Sequence, residues 1–243
     1  MVENKTEELR ETIKRLIETD KGLDTFLYRS SHDLRGPITS LLGLAQIAKM
    51  QNHQDDLDTY FESMEHTASK MLRLLHRLND TGALFRYKRR METINMEEII
   101  QSIKFQLDNS SDMVKIEIEN RIDEPISSDP VLLNNIVLNL MENSIVFRGE
   151  IDPFVKSVFY LNDQHLVIKT IDNGIGIPPS VKDRIFEMFY RGSQKSVGNG
   201  LGLFMVKKAL EILQGSIAIE SQPNDLTTVT VTIPLGNTVA FGI

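Results

Sequence analysis

Phe26–Pro37 reads FLYRSSHDLRGP, and the apolar spacing on either side of it decides the fold of the N-terminal third. Upstream, apolar residues recur at Leu9, Ile13, Leu16, Leu23 and Leu27; downstream the spacing resumes at Leu34, Ile38, Leu41, Ala45 and Ala48. Steps of three and four residues mark a heptad-like seam on one long helix, residues 1 to about 52. His32 lies two residues from the seam positions Ser30 and Leu34, which at about 100° per residue swings it off the packed face. An imidazole held outside a rigid helix suits exposed chemistry better than core packing. Asp33 follows it directly, a carboxylate placed to accept from Nδ1–H and leave Nε2 free to react. Pro37 cannot donate to the carbonyl of Asp33, so the helix is expected to bend beside the histidine, where Gly36 also removes bulk. These residues suit a plain surface histidine near a kink equally well, and the rest of the chain decides between the two.

Asn52–Asp56 is a polar break able to turn the chain and cap a second helix. Beyond it Leu57, Phe61, Met64, Ala68, Met71, Leu75, Leu78 and Phe85 keep the three-and-four spacing, with Gly82 at the missing step. Two seamed helices joined by a short turn make an antiparallel hairpin. One hairpin leaves much of its seam exposed, so a homodimeric four-helix bundle is expected. His66 and His76 on the second helix are not followed by an acid and a proline as His32 is, and they read as surface residues.

With 243 residues, the chain has room for two domains of ordinary soluble composition. No run approaches the roughly 18 apolar residues needed to span a bilayer, and the scattered N-terminal charges do not resemble a signal peptide. The absence of cysteine excludes disulfides and thiolate metal sites and is compatible with a reducing, cytoplasmic setting. A net charge of −7, with Lys88-Arg89-Arg90 as the one basic block, argues against nucleic acid as a partner. That trio reads as a solvated linker. The uncapped first helix reads as part of a longer one, so an upstream sensor or membrane module is expected outside this chain.

From about Ile94 the pattern changes. Met96–Leu107 suits a helix, and Val114–Ile122 alternates as a half-buried strand. Asp129–Phe147 reads as a strong helix with Asp129 as N-cap and Pro130 at its first position. Strands are expected near Ser157–Leu161 and Leu166–Ile171, a helix from about Leu203 to Leu213, and final strands at Ser216–Ser221 and Thr227–Ile233. Such closely spaced hairpins predict a mainly antiparallel sheet in an α/β sandwich.

Four features of this second region point to a nucleotide. Asn139 and Asn143 share a face of an otherwise apolar helix, and an amide oxygen is a hard ligand suited to Mg²⁺. Asp172 follows a strand and precedes Gly174 and Gly176, a carboxylate placed to accept from an exocyclic amine such as that of adenine. Phe186, Phe189 and Arg191 form F-x-x-F-x-R, apolar anchors for a loop base with a cation aimed at phosphate. Gly198-Asn199-Gly200-Leu201-Gly202-Leu203 opens a helix whose free N–H groups favour phosphate.

In this order the motifs resemble the catalytic core of bacterial two-component sensor histidine kinases. SSHDLRGPI resembles the family's phosphoacceptor box, LNNIVLNLMENSIVF its N box, DNGIGIP its G1 box, IFEMFYRG its F box and GNGLGLFMVKKAL its G2 box. The resemblance implies an α + α/β chain. A dimeric antiparallel helical hairpin over residues 1–87 precedes an α/β sandwich ATP-binding domain of Bergerat fold over 94–236, with 237–243 as a C-terminal tail. It further implies that His32 attacks the γ-phosphate of ATP with Asp33 assisting as base, that Asn143 binds Mg²⁺ and Asn139 lines the site, and that Asp172 reads adenine. Gly174, Gly176, Phe189, Arg191, Lys195, Gly198, Gly200, Leu201, Gly202 and Leu203 would complete the nucleotide site, with a lid from about Pro178 to Gly198. The phosphoryl group would pass to an aspartate in the receiver domain of a response regulator.

Three positions depart from the family pattern. Val146 stands where a basic residue is usual, leaving Arg148 or Lys195 as the phosphate cation. Gly36 stands four residues after the histidine, where Thr or Asn commonly positions water, so dephosphorylation of the regulator is expected to be weak or absent. Leu226-Thr227-Thr228 replaces a glycine-rich turn. Two rival functions fit the same residues: a nucleotide-binding signalling scaffold, and an ATP hydrolase of the same superfamily. The hydrolases place a glutamate one helical turn before the metal asparagine, where this chain has Asn139.

Overall fold

The computed structural model describes residues 2–50, 54–107, 114–192, 199–223 and 225–235, with side chains described from residue 25 in the first helix and from 57 in the second. Two long helices form the N-terminal hairpin: α1, Val2–Met50, and α2, Gln54–Leu84. Helix α1 runs through Pro37. Phe26, Ser30 and Leu78 are buried, whereas Leu27, Ile38, Leu42, Phe61, Leu72 and Leu75 keep 39–62% of their surface exposed. The buried line on α1 thus runs through the expected seam position Ser30 and through Phe26 in place of the expected Leu27. A single hairpin leaves that seam an unfilled apolar face.

The compact units divide between Asp80 and Thr81. The last turn of α2 therefore counts with the second unit, where Thr81 and Leu84 are buried and the Phe85 ring lies 6.0 Å from that of Phe204.

In the second unit the elements are β1 (Glu92–Ile94), α3 (Met96–Leu107), β2 (Lys115–Asn120), β3 (Ile126–Ser128), α4 (Pro130–Val146), β4 (Phe154–Asn162), β5 (His165–Asp172), α5 (Gly202–Leu213), β6 (Ser216–Glu220) and β7 (Thr227–Pro234). Five strands form one sheet in the order β2-β4-β5-β7-β6, and β1 pairs with β3 in a separate ribbon. The β2–β4 pair is parallel and the other three are antiparallel. Helix α4 lies between β2 and β4 in sequence, and a helical crossover is what a parallel pair requires.

Period-two alternation decides which side chains meet the helices. Val155 and Phe159 on β4, Leu166 and Ile168 on β5, and Val229, Val231 and Ile233 on β7 join the core with Leu132, Leu133, Ile136, Val137, Leu140 and Met141 of α4. The same inward row of β5 continues through Thr170, which pairs with the Ser157 hydroxyl at 3.1 Å, to Asp172 at the strand end. The register therefore delivers a carboxylate to the helix-facing side of the sheet. Asp129, fully buried, caps α4 by accepting from the amides of Val131 and Leu132 at 3.1 Å each. It also accepts from the Tyr87 hydroxyl and the Arg90 amide, fastening the segment after α2 to the start of the helix.

Candidate active site

Helix α4 carries Asn139, Asn143 and Ser144 along one flank. Asn139 is 6% exposed, and its Nδ2 donates to the carbonyl of Asn135 at 2.8 Å. Its Oδ1, with both amide atoms of Asn143, crowds against Gly202 at the start of α5: a Cβ added there would lie 3.2 Å from Asn143 and 3.3 Å from Asn139. Any larger residue at 202 would press on the amides. The Asn143 Nδ2 is buried without a hydrogen-bond partner among the described residues, which leaves that donor open to a ligand. Among the described residues no group of three or more His, Asp or Glu could hold a metal by itself. One amide oxygen is nevertheless the kind of hard donor that suits Mg²⁺, which keeps several waters and takes much of its coordination from substrate phosphates.

Asp172 sits across from this flank. Its Oδ2 accepts from the Ser144 hydroxyl at 2.7 Å and its Oδ1 from the Gly174 amide at 2.9 Å. Burial pushes its carboxyl above the usual carboxylate range, and the two hydrogen bonds oppose that shift. The next residue, Asn173, turns away. Its Oδ1 accepts from the Phe154 amide at 2.8 Å and its Nδ2 donates to the Asp152 carbonyl at 3.0 Å, which clamps the α4–β4 loop.

Two glycines close this turn because no side chain fits. At Gly174 a Cβ would stand 2.5 Å from the Phe147 carbonyl oxygen. Gly176, at φ +72°, would place a Cβ 2.0 Å from the Gln222 oxygen in the β6–β7 turn. Gly176→Ala is expected to cost about 3 kcal/mol, combining left-handed strain with a backbone clash. Gly36, which has nothing within 4 Å, supplies the control. Gly36→Ala lies inside α1 and is expected to be neutral or stabilising by up to about 1 kcal/mol. Denaturant midpoints of the two variants check the contrast.

The F-box residues pack less uniformly. Phe189 is 7% exposed with φ +62°, and its amide donates to the Gly200 carbonyl at 2.9 Å. Gly200, at φ +71°, has no room for a Cβ against Phe189 and Tyr190. Residues 189 and 200 are thus clasped together. Phe186 is half-buried, Arg191 is exposed, and Lys195 and Gly198 lie outside the described residues. Leu201 and Gly202 are buried at the start of α5 and Leu203 is half-buried. Arg148, two residues past Val146, donates to the Ile145 carbonyl at 3.2 Å and lines a cavity of about 620 Å³ with Val146, Gly149, Glu150 and Pro153.

On the hairpin, the His32 side chain is 68% exposed, and its Nδ1 lies 3.2 Å from Asp33 Oδ1. His66 and His76 are also exposed. Reading along the chain missed Ser144 and Ser221. The latter's hydroxyl accepts from the Ile177 amide at 2.8 Å. Their only local signal was polarity at positions that a sheet and a helix bury.

A five-stranded mixed sheet covered by α3, α4 and α5 defines an ATP-binding domain of a known class. Residues 128–237 match the histidine kinase-, DNA gyrase B- and HSP90-like ATPase family. Residues 22–83 match the His Kinase A phospho-acceptor domain. The chain belongs to the two-component histidine kinases and comprises their catalytic core.

It is 26% identical over 242 residues to phytochrome-like protein Cph1 of Synechocystis sp., covering 98% of this chain and 32% of that protein. It is 32% identical over 229 residues to the autoinducer 2 sensor kinase/phosphatase LuxQ of Vibrio vulnificus, covering 86% of this chain and 26% of that protein. The chain thus spans about a third or less of the length of these relatives. Among solved structures it is similar in fold, by TM-score, to histidine kinase ThkA in complex with response regulator protein TrrA. The value is 0.69 at 19% identity, covering 86% of this chain and 60% of that one. No helix among the described residues is long and apolar enough to cross a membrane.

Proposed function

We propose that this chain is the catalytic core of a cytoplasmic sensor kinase that phosphorylates His32 from Mg-ATP and passes the group to an aspartate of a response regulator. The observation that carries the reading is His32 itself. It is an exposed imidazole whose Nδ1 lies against Asp33, in a chain that also holds an ATP-binding domain. With Nδ1–H donating to Asp33, the lone pair on Nε2 forms the N–P bond as the bond from the γ-phosphorus to the bridging oxygen breaks and ADP leaves. Asp33 orients the ring and stabilises the charge that develops on it. Asp172 takes the adenine amine, the start of α5 takes phosphate through its backbone amides, and Arg148 supplies the cation absent at Val146. Asn139 lines the pocket and Asn143 would hold Mg²⁺, which neutralises charge on the phosphates when bound.

The N–P bond of phosphohistidine is reactive, so a receiver carboxylate attacks phosphorus and the imidazole leaves. Exposure of His32 suits both encounters. The apolar face of Leu27, Ile38, Leu42, Phe61, Leu72 and Leu75 fits a second copy of the hairpin, and the structural relative solved with a response regulator supports that class of partner. We assign residues 1–87 to the hairpin and 94–236 to the ATP-binding domain, with any sensor or membrane module on another segment.

Incubation with γ-labelled ATP and Mg²⁺ tests the reading. Acid-labile, alkali-stable label on the protein is expected. Nucleotide binding with no protein-bound label would overturn it in favour of a scaffold, and released phosphate alone would favour a hydrolase.

A further inference from the structure

Ser144 interrupts the inward, apolar flank of α4, one residue past Asn143. Its hydroxyl donates to Asp172 Oδ2 at 2.7 Å, and each of the two residues is 7% exposed. Oδ1 is held separately by the Gly174 amide. Each oxygen therefore has one fixed donor, and the carboxylate plane is set by two bonds from two different elements.

We propose that Ser144 is a specificity-determining positioning residue, whose hydroxyl keeps Asp172 an oriented, ionised acceptor so that the site takes 6-aminopurine nucleotides and rejects 6-oxopurine ones. This rests on the reading of Asp172 as the contact to the base. An ionised carboxylate has only acceptor positions, which match the N6 amine of adenine and repel the O6 of guanine. A protonated carboxyl gains one O–H, which donates to O6 as readily as to any carbonyl. At the purine 6-position, discrimination by this side chain therefore depends on its charge state.

The surroundings do not secure that charge by themselves. Burial favours the neutral form, and the bonds from Ser144 and Gly174 are what oppose it. Among the described residues no titratable group acts on the carboxylate from the packed elements: α4 presents Ser144, β4 pairs Val155 with Asp172, and β7 pairs Thr227 with it. The Thr227 hydroxyl is engaged with Ser221 at 2.8 Å. Gly174 contributes only backbone, so Ser144 is the side chain on which the charge depends.

Ser144→Ala and Ser144→Thr are compared with the wild type by titrating ATP and GTP from about pH 5 to about pH 8. Losing a hydrogen bond to the charged form is expected to move the acid limb of ATP binding to higher pH. The alanine variant is expected to lose ATP affinity from that higher pH and to narrow the ATP-over-GTP ratio roughly tenfold at the acid end. Ser144→Thr keeps the hydroxyl and is expected to restore the wild-type profile. Ser144→Cys, a weak donor, is expected to shift the limb in the same direction by less, and it carries the comparison if the alanine variant unfolds. A uniform loss of both nucleotides at every pH, or an unchanged profile, would overturn the proposal by reducing Ser144 to packing. Failure of the wild type to prefer ATP would instead overturn the reading of Asp172 on which it rests.

Discussion

His32→Gln is expected to abolish protein-bound phosphate while leaving ATP affinity within about twofold of wild type. The side chain is 68% exposed, so its replacement removes little packing, and the expected stability change stays within about 0.5 kcal/mol. Glutamine keeps a polar group of similar reach. Its amide nitrogen, however, has a lone pair delocalised into the carbonyl and cannot serve as Nε2 does. The Asp33 carboxylate, 3.2 Å from Nδ1 in the wild type, would be left with no ring N–H to orient. The measurement is acid-labile, alkali-stable label from γ-labelled ATP, with nucleotide binding followed in parallel. Label that persists in the variant would move the acceptor to another histidine, such as His66 or His76, which are exposed on α2.

What could be read from the sequence was whatever is fixed by local chemistry. Asp129 and Pro130 announce the start of α4 because a cap and a proline act within one turn, and the helix begins there. Met96–Leu107 and the β6–β7 pair likewise follow from periodicity and turn residues. The missed elements depend on distant partners. Strands β1 and β3 have three residues each and exist only because they pair across more than 30 positions of chain, a span closed by the fold. Strand β4 begins at Phe154 rather than near Ser157 because its first residues pair with β2 and with the end of β5. The parallel β2–β4 pair was hidden among closely spaced hairpins for the same reason. In the site, the motifs supplied Asn139, Asn143, Asp172 and the glycines, whereas the Ser144–Asp172 bond joins residues 28 apart in sequence. Adjacent motifs name the parts. Which of them touch is decided by sheet register and helix packing.

Asp172→Asn is expected to lower ATP affinity by about thirtyfold, about 2 kcal/mol, without lowering the melting temperature of the nucleotide-free protein. The orientation of the new amide is decided by its neighbours. The Gly174 amide, 2.9 Å from Oδ1, demands an oxygen there, so the –NH₂ takes the place of Oδ2. Ser144 then turns its hydroxyl to accept rather than donate, and the second amide hydrogen faces the position of the base. A donor meets the adenine amine where an acceptor stood. Guanine O6 would be met by a matching donor, so the preference for ATP over GTP should narrow as well.

Stability moves the other way for an electrostatic reason. Burial raises the Asp172 carboxyl pKa in the folded state above its unfolded value, so the folded form resists ionisation. Its contribution is complete below the unfolded carboxylate pKa and is lost as pH rises through the raised folded value. Above that folded value the wild type has lost that stability, whereas a neutral asparagine has nothing to ionise. The variant should therefore match or exceed the wild type in melting temperature at pH 7, and its stability should vary less across the acid range. Calorimetric ATP titration beside thermal melts at several pH values separates the two effects. An affinity unchanged within about twofold would remove Asp172 from the base contact. A melting temperature lowered together with the affinity would show that the carboxylate serves the fold, with binding lost only as a consequence.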